Sequence, residues 1–338
     1  MAVGIQPGGG QQDRSPGLVL LTNSYDTTAD LLIHRLGAGK VFRFNFDLCS
    51  DYAVEIVPGH FRLADPTGRE ISEDSVVKAL WRKPWSRVQF RPTSRTDEER
   101  YYDQELWYAI RDIVNLLWRA HKLVLVEPFA ERRAGKFVQL RVAARHLQVP
   151  GYQFRLGLPS AFADDAAVVV KSLTTEPVGP AAQRHLLFTT RVDDRALSPD
   201  CPWMVQDYIH ADRDVTVAFV RDQLFAFELD RTVFRDELAD WREMPTDWEG
   251  GRWFPHVLPA PLQDAIFAFM AELDLQFGRL DFLCGQGGYF FLEVNTNGEW
   301  AWLDTEGRYG LLDKVAAEID PGSTPVHSIP VPGIGAPS

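Results

Sequence analysis

The chain has 338 residues, 45% of them hydrophobic and 24% charged, the proportions of a folded globular protein with enough sequence for two or three packed subdomains. With 35 Lys and Arg against 47 Asp and Glu, the formal charge is −12, which argues against nucleic-acid binding through a general basic field. Cys49, Cys201 and Cys284 form no Cys-x-x-Cys pair, so neither a disulfide framework nor a structural zinc site is expected.

No apolar run reaches the ~18 residues of a membrane span, and the Gly- and Gln-rich N-terminus lacks a signal-peptide core. A cytoplasmic protein without membrane contact is expected, with residues 1–16 as a disordered leader. Leu18 to Thr22 reads as a buried strand, Thr27 to Leu36 as a helix capped near Thr27 or Thr28, and Val41 to Phe46 as a second strand. Together they make a β-α-β opening. Val54 to Val57 and His60 to Leu63 read as a hairpin about Pro58-Gly59, and Val76 to Trp81 as a strand ending in Arg82-Lys83-Pro84. Leu106, Ile110, Val114 and Leu117 share one face of a long helix over Tyr101 to Ala120. Leu123 to Val126 follows as a buried strand.

From Ala134 to Leu147 the apolar positions follow a helix that stops before Val149-Pro150. Lys136 falls in its first turn, where the helix dipole disfavours a cation unless an anion lies close by. Val168-Val-Val-Lys171 is a strand ending in a charge, and Trp203 to Ile209 a strand with a polar centre at Gln206 and Asp207. Asp214 to Val220 and Gln223 to Leu229 form a hairpin about Arg221-Asp222, and Pro261 to Leu275 an amphipathic helix. Gly310 to Ile319 is a last short helix, and the Pro/Gly/Ser-rich residues 321–338 read as a disordered tail.

The most informative stretch runs from Arg279 to Trp302, where two apolar strands flank Gly285-Gln286-Gly287-Gly288. Glu293 and Asn295, two residues apart, leave the same face of the second strand. Asp281 joins them if it lies opposite Glu293, which requires a turn with an odd number of residues, such as three centred on Gly287. Two carboxylates and an amide suit Mg²⁺, whose other positions go to water and substrate phosphates, and so imply a nucleotide. Solvated acids on an exposed hairpin would show the same spacing.

Leu-Asp-Phe followed by Tyr-Phe-Phe-Leu-Glu-Val-Asn-Thr-Asn-Gly-Glu-Trp-Ala-Trp-Leu resembles the metal-binding end of the ATP-grasp ligases. The Asn-x-Asn-Gly-x-Trp-x-Trp ending and Asp240-Trp241-Arg242 are similar to the microviridin-type (graspetide) maturases, which close side-chain links in ribosomally made peptides. The resemblance covers roughly residues 18–319. It implies an α/β (α+β) protein with the ATP-grasp fold: an N-terminal β-α-β domain at 17–127, a central lid domain at 128–205, and a C-terminal antiparallel-sheet domain at 206–320. It further implies ATP and Mg²⁺, a precursor-peptide substrate and a homodimer.

By the same resemblance Lys136 and Lys171 meet nucleotide phosphates, and the segment Gln206, Asp207, Tyr208, Ile209 meets adenine, chiefly through backbone groups near Asp207 and Tyr208. Arg242 stabilises the transferred phosphoryl group, with Arg231 and Arg235 as neighbours. Asp281, Glu293 and Asn295 hold the metal, residues 172–183 form a flap, and Arg82 and Lys83 meet the peptide. The chain departs from the family at Thr216, where an arginine is frequent; a hydroxyl there replaces a charged fork.

Overall fold

The computed structural model describes residues 16–83, 96–163, 166–173, 188–232, 239–243 and 253–322. They form two compact units, one of residues 16–128 with 305–322, the other of residues 129–304.

The first unit opens with strand β1 (Leu18–Thr22), helix α1 (Thr27–Leu36) and strand β2 (Val41–Asn45), and β1 pairs in parallel with β2 as the β-α-β pattern requires. The α1 cap is Asp26, whose carboxylate accepts from the N–H groups of Thr28 and Ala29, in place of the expected threonines. An antiparallel meander follows: β3 (Ala53–Val57), β4 (His60–Ala64) and β5 (Glu70–Ser72). β6 (Lys78–Trp81), helix α2 (Asp97–Arg119) and β7 (Leu123–Val124) complete a parallel sheet of order β2-β1-β6-β7. A capping box between Thr96 and Glu99 starts α2 at Asp97, four residues before the expected start at Tyr101.

The β2 edge of that sheet is closed by side chains. Tyr52 Oη accepts from Asn45 N–H at 3.2 Å and donates to the Arg43 carbonyl at 3.1 Å, while Arg69 Nη2 donates to the Val41 carbonyl at 2.9 Å.

The second unit begins with a single turn, α3 (Ala130–Arg133), and then α4 (Lys136–Ala143), which is shorter than the apolar pattern suggests. β8 (Tyr152–Arg155), β9 (Val168–Lys171), β10 (Thr190–Val192) and β11 (Trp203–Asp207) make a sheet of order β10-β9-β11-β8. A five-stranded antiparallel sheet, of order β14-β13-β12-β15-β16, is built from β12 (Arg213–Val220), β13 (Gln223–Asp230), β14 (Phe254–Pro255), β15 (Phe277–Gly285) and β16 (Gly288–Asn295). Helix α5 (Ala260–Glu272) delivers the chain to β15. After residue 304 the chain returns to the first unit as α6 (Leu311–Ile319).

Alternation along the five-stranded sheet sorts its two faces. Val215, Val217, Phe219, Leu280, Phe282, Phe291 and Val294 join Leu140 of α4 and Ile266, Phe269 and Met270 of α5 in one core. The intervening residues Asp214, Thr216, Arg279 and Asp281 therefore leave the opposite face, and an irregularity of β16 between Phe291 and Glu293 brings Glu293 and Asn295 to that face as well. Phe269 is fully buried, with its ring centroid 5.0 Å from that of Phe291. Phe269→Ala is expected to cost about 3–5 kcal/mol, read as a fall in the urea midpoint at unchanged m-value.

Candidate active site

Asp281 lies directly opposite Glu293, and Arg279 opposite Asn295. The means differs from the expected three-residue turn: Gly285 pairs with Gly288 across the two residues Gln286 and Gly287, and the register shifts between Asp281 and Phe282. Leu292 is the extra residue of that bulge, and its carbonyl accepts from Lys136 Nζ at 3.1 Å. The same ammonium reaches Glu293 Oε2 at 2.7 Å, so the anion that the dipole argument calls for near Lys136 includes this carboxylate. Gln139, one turn along α4, accepts from Val294 N–H at 2.6 Å and fixes the helix against β16.

Around Asp281 the contacts are equally defined. Thr216 Oγ1 donates to Oδ1 at 2.8 Å, and Arg279 Nη2 donates to Oδ2 at 2.9 Å. Asn295 Nδ2 lies 3.4 Å from Asp281 Oδ2 and 3.3 Å from Glu293 Oε1; the same amide turned over would offer Oδ1 to a cation between the two carboxylates. Gly298 permits this crowding, since a Cβ there would stand 2.9 Å from Asn295 Cβ and 3.2 Å from Arg279 Cβ.

Lys171, Gln206, Asp207, Tyr208, Ile209, Asp214, Arg231, Asp240, Arg242, Arg279, Asp281 and Glu293 line one cleft. Lys136, Thr216 and Asn295 stand behind this lining and act on it through Glu293 and Asp281. Arg242 grips Asp240 in a two-pronged pair, Nε to Oδ1 at 2.8 Å and Nη2 to Oδ2 at 2.6 Å. Asp240 is buried while Arg242 is half exposed, so the pair fixes the guanidinium yet leaves it accessible.

Charge in the cleft is strongly coupled. Burial, reinforced by the charge of Lys136, pushes the Lys171 ammonium down to about 8, with Glu293 and Asp240 pulling the other way. Burial alone would raise Glu293, but Lys136 and Lys171 outweigh it and hold the carboxyl well below the usual range. The hydrogen bonds that Arg242 donates to Asp240 raise it above its already high value, and the charges of Asp240, Glu293 and Asp281 add to the effect. Burial pushes Asp214 up to about 6 despite its ion pair with Arg231 at 2.8 Å.

At the other end, the Asp207 N–H is spent on the Gly151 carbonyl at 2.9 Å and the Tyr208 N–H on the Ala167 carbonyl at 2.8 Å. Those two donors are taken, so the adenine contact expected of this segment falls to its other backbone groups and to the Gln206 side chain. Gln206 is 1% exposed, and its amide N and O both lack a hydrogen-bond partner. Such an amide is costly unless a ligand completes it, which is an observation of fit for a nucleotide. For Mg²⁺ the donor set fits as well. Among the described residues no three His, Cys, Asp or Glu side chains could hold a metal by themselves; two carboxylates and an amide match an ion that keeps phosphate and water ligands.

Of the other candidates, Arg82 lies in the first unit, 2% exposed, with Nε 2.9 Å from Asp26 Oδ2. Thr22 Oγ1 also donates to Asp26, at 2.6 Å, so Arg82 is held inside the unit and does not form the exposed cation that a strand end suggests. Lys83 has φ 41°, and its carbonyl accepts from Asn23 Nδ2 at 2.9 Å. Arg235 and residues 174–183 of the expected flap lie outside the described residues. Two features escaped the sequence reading. Arg279 stands two residues before Asp281, and period-two alternation alone would have placed it on the site face. Trp241 and Trp253 line the cleft and pack with Trp302 in edge-on and tilted pairs at centroid distances of 5.3–5.8 Å; they come from three separate segments that no local pattern connects.

No family model and no curated protein matches the chain. Solved structures do. The macrocyclase MdnC of Microcystis aeruginosa, bound with precursor peptide MdnA, is 22% identical over 89% of this chain and 98% of its own, with a TM-score of 0.73. A RiPP-associated ATP-grasp ligase of Chryseobacterium gregarium, in complex with ADP and a leader and core peptide, is 19% identical over 90% and 96%, with a TM-score of 0.74. The ATP-grasp ligase PsnB, complexed with a phosphomimetic variant of its minimal precursor, Mg and ADP, is 16% identical over 90% and 98%, with a TM-score of 0.66. The chain has the ATP-grasp fold, and the solved proteins it resembles include the macrocyclases and ligases that carry it.

Proposed function

We propose that the protein is an ATP-dependent carboxylate ligase that closes side-chain ester or amide links in a ribosomally made precursor peptide. The observation that carries this reading is the convergence of Lys171, Arg242 and Arg279 with Asp281 and Glu293 on one cleft whose far end offers the unpaired Gln206 amide. The precursor peptides and ADP in the similar solved structures support the choice of substrates. Residues 128–205, all but the first of them in the second unit, serve as the lid and the five-stranded sheet as the grasping half.

Mg²⁺ held by Asp281, Glu293 and Asn295 would neutralise phosphate charge and fix the γ-phosphate in line with its acceptor. The rest falls to the side chains. Lys171 and Arg242 offset charge as an Asp or Glu carboxylate oxygen bonds to the γ-phosphorus and the bond to the ADP oxygen breaks. The product of that step is an acyl phosphate, whose carbonyl is attacked by a hydroxyl or amine with departure of inorganic phosphate. Thr216 and Arg279 orient Asp281, and Lys136 orients Glu293, so neither carboxylate swings as charge moves. Lys83 is retained as a contact for the peptide.

Each closure removes one water. Incubation of a peptide encoded beside the gene with enzyme, ATP and Mg²⁺ is expected to give successive losses of about 18 Da in mass spectrometry. A gain matching an added amino acid would replace this reading with a ligase of free amino acids, and unchanged mass with no ADP would remove the ligase reading.

A further inference from the structure

Beside Arg242 the cleft is walled by indole. Trp241 directly precedes Arg242 in the chain, and Trp241 and Trp253 both line the cleft. Trp302, 36% exposed, continues the same surface to solvent. Its ring centroid lies 5.8 Å from that of Trp241 and 5.3 Å from that of Trp253, and those two stand 5.5 Å apart. Phe188 adds a fourth ring, its centroid 5.9 Å from Arg242 Cζ. None of the three tryptophans is buried, and none belongs to the hydrophobic core of this unit. Partly open indole gathered next to a charged cleft is surface suited to recognition, where tryptophan is enriched.

The spacing of the rings limits what they can take. Centroids 5.3–5.8 Å apart belong to rings in direct contact, so no side chain fits between them and a cage around a cation is excluded. What remains is an outer surface for a ligand group to lie against. Charge narrows the choice further. A cation there would meet the Arg242 guanidinium, and Asp240, the acid next to the wall in sequence, is already taken in the two-pronged pair with Arg242. An acid would be drawn past the indoles to Arg242 itself. The group that suits the wall is therefore uncharged and apolar, and an aromatic ring suits it best because edge or offset contacts add to the buried area. Side chains one or two positions apart on an extended peptide lie within about 7 Å of each other, and the wall begins one residue from Arg242.

We propose that the surface of Trp241, Trp253 and Trp302 reads the precursor peptide beside its reacting carboxylate, taking an uncharged apolar or aromatic side chain one or two positions away and so bringing the carboxylate to Arg242. This rests on the ligase reading and adds a sequence preference to it. The tryptophans act as specificity residues and touch neither the phosphates nor the reacting oxygens.

The test uses the full chain with ATP, Mg²⁺ and three versions of the peptide encoded beside the gene, in which the nearest neighbours of the reacting acid that take no part in the link are Phe, Ala or Arg. ADP release and the loss of about 18 Da per link are followed against peptide concentration. Wild type is expected to favour the Phe peptide over the Ala peptide by about tenfold in kcat/KM, chiefly through KM, and to use the Arg peptide least. Trp253 is the residue to change, because it stands apart in sequence from the Asp240–Arg242 pair. Trp253→Gln should abolish the preference for Phe over Ala, while Trp253→Phe, which keeps a ring, should retain it. Equal use of the three peptides by wild type, or a preference that survives in Trp253→Gln, would overturn the inference and leave the ligase reading standing. Absence of mass loss from every peptide would remove both. The wild-type ranking decides the matter by itself should circular dichroism show Trp253→Gln unfolded.

Discussion

Glu293→Gln is expected to reduce ADP release by at least about a hundredfold, the scale of losing one preorganised charge at a phosphoryl-transfer centre, while the far-ultraviolet circular dichroism stays unchanged. The amide keeps the volume of the side chain and can still accept from Lys136, so the β16 bulge and α4 remain in place. What disappears is the negative charge that Lys136 and Lys171 hold ionised. The two ammonium groups are then left to repel each other, and a divalent cation loses one of its two carboxylates. Comparison with Thr216→Val separates charge from geometry: that change removes a hydroxyl from Asp281 but no charge, and a loss of about tenfold is expected, near the worth of one hydrogen bond to a charged group. ADP release by Glu293→Gln at the wild-type rate would exclude Glu293 from the metal site.

Binding of ATP at pH 8 is expected to take up about half a proton per nucleotide, because the Lys171 ammonium, pushed down to about 8, is half neutral there and the phosphates favour its charged form. Affinity for ATP should therefore weaken as pH rises from 7 to 9. The sign for stability runs the other way. A lysine with a depressed value in the folded state contributes stability that is full above its unfolded value near 10.5 and is lost as pH falls through 8, so the nucleotide-free protein carries a charged, crowded Lys171 at neutral pH that ATP relieves. Calorimetry in buffers of different ionisation enthalpy measures the uptake. Lys171→Ala should abolish it and weaken binding by about ten- to a hundredfold, the worth of a charge-assisted hydrogen bond or two. Equal affinity in the variant, or no buffer dependence in the wild type, would remove Lys171 from the phosphate site.

What the chain discloses locally, it discloses well. The apolar runs at Leu18–Thr22 and Val168–Lys171 are strands with the expected bounds, and the pairing of Asp281 with Glu293 follows from wanting both acids on one face. The route to that pairing was not legible, because a two-residue turn with a bulge at Leu292 and a three-residue turn without one give the same opposition. β8 and β10 are four and three residues long at sheet edges, too short and too mixed for alternation to register. Arg82 reads as an exposed strand-end cation until Asp26, 56 positions away in sequence, is seen to hold it. Partners brought from afar are what local periodicity cannot supply, and the tryptophans of the cleft are hidden for the same reason.

The Tyr52 hydroxyl bears on the fate of the chain before and after folding. An edge strand with free N–H and C=O groups is a template on which any extended segment can add, including the same segment of another molecule. By filling the positions of a neighbouring strand at Arg43 and Asn45, with Arg69 at Val41, Tyr52 removes that template with one phenol where many proteins use lysines, prolines or a covering helix. The protection exists only once residues 41–52 have closed their turn. On a ribosome or after partial unfolding, β2 with its Val-Phe-Arg-Phe-Asn sequence is a sticky hydrophobic ribbon, so the order in which this turn and the β1–β2 pair form decides whether a newly made chain stays solitary or nucleates aggregates.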